Sequence, residues 1–182
     1  MNKRTRYLTT AGMIAAMYVA LSAVSQLVGL CSGNIQCRIS EALCVLPVFT
    51  NAAVPGVTIG CLITNLLFGL GPIDVALGTL ATLIGALACW AIRKKLPWLA
   101  SVPTILSNAF IVPVVLLYYG FSQGYFIDAG FVALGEIIAC GILGTILLWS
   151  LKKNPKVVSL LTLESVSESK KRRTDKTAAS QT

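Results

Sequence analysis

Six runs of mainly apolar residues follow one another along the chain: Tyr7 to Leu30, Ile35 to Thr50, Val54 to Leu70, Ile73 to Ile92, Leu99 to Tyr119 and Ala129 to Leu151. Short breaks rich in Gly, Pro, Asn, Asp or Lys and Arg separate them. A helix needs roughly 20 mainly apolar residues to cross the hydrocarbon of a bilayer, so the pattern predicts an all-α membrane protein with six transmembrane helices. The second run is short and carries Arg38 and Glu41, which makes it the least regular of the six. The first follows Lys3, Arg4 and Arg6 and contains small residues such as Ala20 and Ser22, the layout of a secretory signal. Its length and the five spans behind it favour a membrane helix instead.

Charge supplies an independent check, because Lys and Arg gather in short cytoplasmic connections. With the N-terminus inside, the inner segments hold Lys3, Arg4 and Arg6, then Arg93, Lys94 and Lys95, then Lys152, Lys153 and Lys156. The outer connections at Cys31 to Asn34, Gly69 to Pro72 and Gly120 to Asp128 hold no Lys or Arg. Six spans with both termini cytoplasmic satisfy the rule, and five or seven would not. Residues 1–153 therefore read as one transmembrane domain. Residues 154–182, rich in Ser, Thr, Lys and Glu and including Lys170, Lys171, Arg172 and Arg173, read as a disordered cytoplasmic tail. The composition agrees: 55% apolar against 12% charged residues is too apolar for a soluble domain of 182 residues. The net charge of +8 sits in clusters that topology explains, without invoking nucleic acid.

Ionisable groups at membrane depth are costly and mark candidate functional positions. At about 1.5 Å per residue, Glu41 and Glu136 fall roughly 9 and 10 Å below the outer ends of the second and sixth spans. Arg38 precedes Glu41 by three residues and shares its helical face. Asn65 lies in the outer half of the third span, Asp74 at the outer start of the fourth, and Asn108 nearer the middle of the fifth. Polar groups on separate helices thus gather in the outer half, as in a cup open to the outside. The bland alternative pairs Arg38 with Glu41 as interfacial structure and leaves Glu136 bonded to a neighbouring helix. In the first span Ala11 and Ala15, and likewise Gly12 and Ala16, stand four apart, a spacing that lets helices approach closely. Packing within the bundle and docking on another subunit both fit it.

Enzyme chemistry finds little support. No G-x-x-x-x-G-K-[ST] loop is present, so ATP hydrolysis would have to come from partners. Histidine is absent, which removes a Ser-His triad and an H-E-x-x-H zinc site. A G-x-S-x-G match at Gly120 to Gly124 lies in an outer loop and its Ser122 has no His to activate it. The six cysteines form no CxxC pair and read as small buried apolar residues, with no metal or cofactor implied. Three classes remain: a solute-binding import subunit, a small proton-coupled carrier using Glu41, Asp74 or Glu136, and a membrane assembly protein.

Four stretches narrow the choice: Ile35-Gln-Cys-Arg-Ile-Ser-Glu-Ala-Leu-Cys-Val-Leu-Pro47, Pro55-Gly-Val-Thr-Ile-Gly-Cys-Leu-Ile-Thr-Asn65, Gly78-Thr-Leu-Ala-Thr-Leu83 and Ala133-Leu-Gly-Glu136. In this order they resemble the QueT family of substrate-binding S components from energy-coupling factor (ECF) transporters, over roughly Tyr7 to Leu151. The resemblance implies a six-helix S component of a bacterial plasma membrane that captures a queuosine precursor, a deazaguanine base. It implies as partners a transmembrane coupling subunit and two ATPase subunits, with delivery by toppling of the S component in the membrane. It favours docking for Ala11 and Ala15. A carboxylate can accept two adjacent N–H groups of a guanine-like edge, which makes Glu41 and Glu136 the leading substrate-binding candidates, with Arg38, Asn65, Asp74 and Asn108 beside them. Phe49, Phe68, Tyr118 and Tyr125 are candidates for stacking on a flat base.

Overall fold

The computed structural model describes residues 3–31 and 36–161. Helix α1 (Lys3–Leu27) is followed by a tight 3-10 helix (Ile39–Val48), α2 (Ala53–Phe68), α3 (Pro72–Ile92) and a 3-10 turn (Pro97–Leu99). Helices α4 (Val102–Tyr118) and α5 (Tyr125–Glu136) come next, and α5 passes through a π-helical stretch (Ile137–Leu143) into α6 (Gly144–Lys153). A short helix, α7 (Pro155–Leu161), ends the described chain. Asn34, Ile35 and the basic run from Lys170 to Arg173 lie outside the described residues.

Proline and glycine set several boundaries. Pro72 and Pro103 stand in the first turns of α3 and α4, where a missing N–H costs nothing. Gly71, just before α3, has φ +152°, a conformation that side chains rarely adopt. Inside α4, Pro113 has no N–H to donate to the preceding turn, and one turn away the Phe110 carbonyl accepts from the Tyr125 hydroxyl at 3.0 Å.

Four helices are long and apolar enough to cross a membrane: Arg4–Leu27, Pro72–Ile92, Pro97–Tyr118 and Tyr125–Lys153. Large apolar side chains such as Met13, Leu66, Phe110 and Trp149 cover the outside, as a lipid-facing surface requires. The second apolar run, the least regular of the six, departs from an α-helical span. Its regular part has ten residues in a 3-10 helix, about 20 Å long at 2.0 Å per residue. Every residue from Ser40 to Pro47 is buried. Non-α backbone at membrane depth is tolerated where protein surrounds it, and here it is surrounded. Helix α1 presents a polar stripe to it at helical spacing. The Ser22 hydroxyl donates to Ser40 Oγ at 2.7 Å, and Ser25 Oγ accepts the Ile39 N–H at 3.0 Å. The expected tail also starts differently, since its first residues fold as α7, with Ser159 buried.

The α1–α2 contact settles which small residues do what. A Cβ on Gly56 would lie 2.9 Å from the Ala11 carbonyl oxygen, and one on Gly60 would lie 2.6 Å from Tyr18 Cβ and 3.1 Å from the Ala15 carbonyl oxygen. Two small-residue ridges thus interlock, and Ala11 and Ala15 are buried inside the chain. Ala11 and Ala15, the pair expected to dock a partner, thus lie against α2 of the same chain. Gly12 and Ala16 point the other way and are exposed.

Helices α2 and α3 pack against each other in opposite directions, so the start of α2 lies beside the end of α3. At one end Asn51 Oδ1 accepts from both Trp90 Nε1 and Arg93 Nη1 at 2.7 Å, with the guanidinium 4.6 Å above the Trp90 ring. Asn51→Ala is expected to lower stability by about 0.5–1.5 kcal/mol, read as a small drop in thermal-shift midpoint. Ligand binding should not change, because the polar cavity lies at the opposite end.

Candidate functional site

Toward that opposite end, α1, the approach to the 3-10 helix, α2, α3, α4 and α5 enclose a cavity of about 230 Å³. Arg38, Glu41, Asn65, Asp74, Asn108 and Glu136 all line it. The six polar positions singled out in the sequence therefore converge, although they come from five separate elements. Gln26, Gln36 and Thr82 add further polar groups, and Phe68, Leu70, Val112, Val115, Leu116 and Val132 supply apolar wall.

The partners of these groups differ from a simple ion pair between Arg38 and Glu41. Arg38 Nη1 donates to Asn65 Oδ1 at 2.7 Å, while Asn65 Nδ2 points to Cys61 Sγ at 3.5 Å. The Thr82 hydroxyl lies 3.2 Å from the same sulfur and 3.2 Å from the Gly78 carbonyl oxygen. Gly78 leaves room for this arrangement, since a Cβ there would sit 2.6 Å from Asn65 Nδ2. Glu41 is held from both sides: the Tyr18 hydroxyl donates to Oε1, and Cys44 Sγ lies 3.1 Å from Oε2. Asp74 Oδ2 accepts the Leu70 N–H at 2.9 Å, closing the α2–α3 turn. Glu136 Oε1 accepts from Asn108 Nδ2 at 2.7 Å, whereas its buried Oε2 has no hydrogen-bond partner. Glu136 stands at the junction where α5 gives way to the π-helical stretch, and π turns inside helices recur at functional sites.

A second chamber of about 340 Å³ adjoins the first and shares Gln36, Leu70, Leu116 and Val132 with it. Phe121, Phe131, Gln123 and Asp128 complete its wall. The Ser122 hydroxyl donates to Asp128 Oδ2, so the G-x-S-x-G match is a loop tied to the first turn of α5. Of the four aromatic stacking candidates only Phe68 reaches the cavity wall among the described residues. Tyr118 is mostly exposed, Tyr125 bonds the Phe110 carbonyl, and Phe49 packs against the apolar core.

Sequence reasoning missed Tyr18, a fully buried side chain with its hydroxyl on a candidate carboxylate. A signal existed: Tyr18, Ser22 and Ser25 recur at helical spacing along a mainly apolar stretch. Cys44, Cys61, Cys89 and Cys140 are buried, and Cys31 and Cys37 are half-buried at the cavity end.

Comparison with known proteins bears on this site. Residues 8–153 match the family described as "QueT transporter". A relative named "Queuosine precursor transporter QueT", from Lactococcus lactis subsp. cremoris (strain MG1363), is 38% identical over 81 residues. The match spans 44% of this chain and 47% of the relative, about half the length of each. No solved structure matches. Together with its four long apolar helices, the family match makes this a multi-pass protein of the bacterial plasma membrane.

Proposed function

Because the chain belongs to the QueT transporter family, we propose that it is the S component of an ECF importer and that it captures a queuosine precursor, a deazaguanine base. The observation that carries this reading is the cavity in which polar side chains from separate elements meet inside an apolar bundle. A deazaguanine presents adjacent N–H donors and a ring carbonyl on one edge. Carboxylates match the donors, and Arg38 or an amide N–H matches the carbonyl. Phe68 supplies a flat apolar wall for the ring. The name of the Lactococcus relative supports the substrate class.

The remaining parts of the proposal concern topology and partners. All six segments cross the bilayer, the buried 3-10 helix and the 16-residue α2 doing so within the bundle. Both termini are cytoplasmic, in keeping with Arg4, Arg6, Arg93, Lys94, Lys95, Lys152 and Lys153 at the ends remote from the cavity. ATP is hydrolysed by two partner subunits joined through a membrane coupling subunit, which docks on the exposed Gly12 and Ala16 face of α1. Toppling of the bundle then carries the loaded cavity across the membrane.

Reconstitution tests this directly. Proteoliposomes holding the chain alone are expected to bind radiolabelled 7-deazaguanine bases saturably without accumulating them, and to accumulate them once coupling and ATPase subunits and ATP are added. Accumulation by the chain alone under a pH gradient would replace this reading with the proton-coupled carrier.

A further inference from the structure

The three carboxylates of the cavity are not equivalent. Both oxygens of Glu41 face donors of its own chain, Tyr18 and Cys44, and Asp74 is spent on the Leu70 N–H. Among the described residues, Glu136 is the one carboxylate with a buried oxygen that has no hydrogen-bond partner, and its other oxygen is fixed by Asn108. A buried oxygen without a donor is unfavourable until something supplies one. A ligand that brings an N–H to that atom relieves this cost.

We infer that Glu136 is the specificity-determining acceptor for the donor edge of the base, that Asn108 is its positioning residue, and that Glu41 shapes the wall without reading that edge. This rests on the proposed deazaguanine ligand. In the bound state Glu136 Oε2 accepts the exocyclic amino group, while Oε1 remains oriented by the Asn108 amide. Tyr18 holds Glu41 in place and thereby joins α1 to the 3-10 helix.

Two probes separate these roles in detergent-purified protein by calorimetry: 7-deazaguanine, and 7-deazahypoxanthine, which lacks the exocyclic amine. Wild type is expected to prefer 7-deazaguanine by roughly 10- to 100-fold, the worth of one hydrogen bond to a charged group. In Glu136→Gln that preference collapses toward one, because an amide can turn a competing N–H toward the amine. Glu136→Asp, which retracts the oxygen by one methylene, is expected to lose most of the preference as well and serves if the Gln variant does not fold. Glu41→Gln and Tyr18→Phe lower affinity for both bases by a common factor and leave their ratio intact. Asn108→Leu weakens the preference in wild type and adds nothing on top of Glu136→Gln, the non-additivity of residues acting through one group. Collapse of the ratio in Glu41→Gln with retention in Glu136→Gln would overturn the assignment. Failure of wild type to bind either base would instead overturn the functional reading on which it rests.

Discussion

Replacing Arg38 with methionine is expected to cost the protein its ligand affinity and part of its stability. Among the described residues, Arg38 is the one basic side chain lining the cavity, and Glu41, Asp74 and Glu136 line the same space. Methionine keeps much of the side-chain volume but leaves three carboxylates on one cavity wall with no guanidinium among them. Removing one partner from a buried charge cluster costs about 3–5 kcal/mol. Arg38 opens onto a cavity, so the lower end of that range applies. The same change strands Asn65 Oδ1, which now accepts from Arg38 at 2.7 Å. A fall of roughly 100-fold or more in affinity for a deazaguanine base should follow, together with a lower thermal-shift midpoint in detergent. Arg38→Lys restores the charge but not the planar fork, so it should recover stability further than affinity. Wild-type affinity in Arg38→Met would show that the cluster is balanced without the guanidinium.

The features that sequence made legible are those written in one dimension. Apolar runs and basic breaks mark where the chain turns, and they placed the ends of α1, α3 and α4 within a few residues of where the helices lie. The convergence of Arg38, Glu41, Asn65, Asp74, Asn108 and Glu136 was legible for a related reason. Depth along a span follows from counting residues, and polar groups at one depth in an apolar bundle have few other places to go. Surroundings were not legible. The run from Ile35 to Thr50 is apolar whether lipid or protein encloses it, so composition could not reveal a buried 3-10 helix. Small residues four apart announce a close contact but not its direction. Ala11 and Ala15 meet Gly56 and Gly60 of the same chain, and Gly12 and Ala16 face outward. Hydrogen-bond partners were hidden for the same reason: Tyr18 reads as one more large residue until the 3-10 helix is laid against α1.

The second large effect should come from a single added methyl group that changes no charge. Gly135 lies one residue before Glu136 in α5, and a Cβ there would collide with the carbonyl oxygen of Gln36 and lie 2.9 Å from its carbonyl carbon. Both are backbone atoms of the segment that leads to Arg38, so no side chain can rotate to relieve the clash. Gly135→Ala must therefore push α5 away from residues 36–38 or bend it, and either movement displaces Glu136 from Asn108 and Arg38 from Asn65. Overpacking of this kind costs about 1–3 kcal/mol, and affinity should fall by roughly tenfold or more as the cavity walls shift. Gly130 provides the comparison, since a Cβ there meets nothing within 4 Å in the same helix. Relief of glycine's conformational entropy predicts that Gly130→Ala stabilises by about 0.5–1 kcal/mol. One substitution type at two sites five residues apart is thus expected to move the thermal-shift midpoint in opposite directions. Equal behaviour of the two variants would mean that the Gln36 backbone does not sit against α5, and with it the wall that joins Arg38 to Glu136 would be lost.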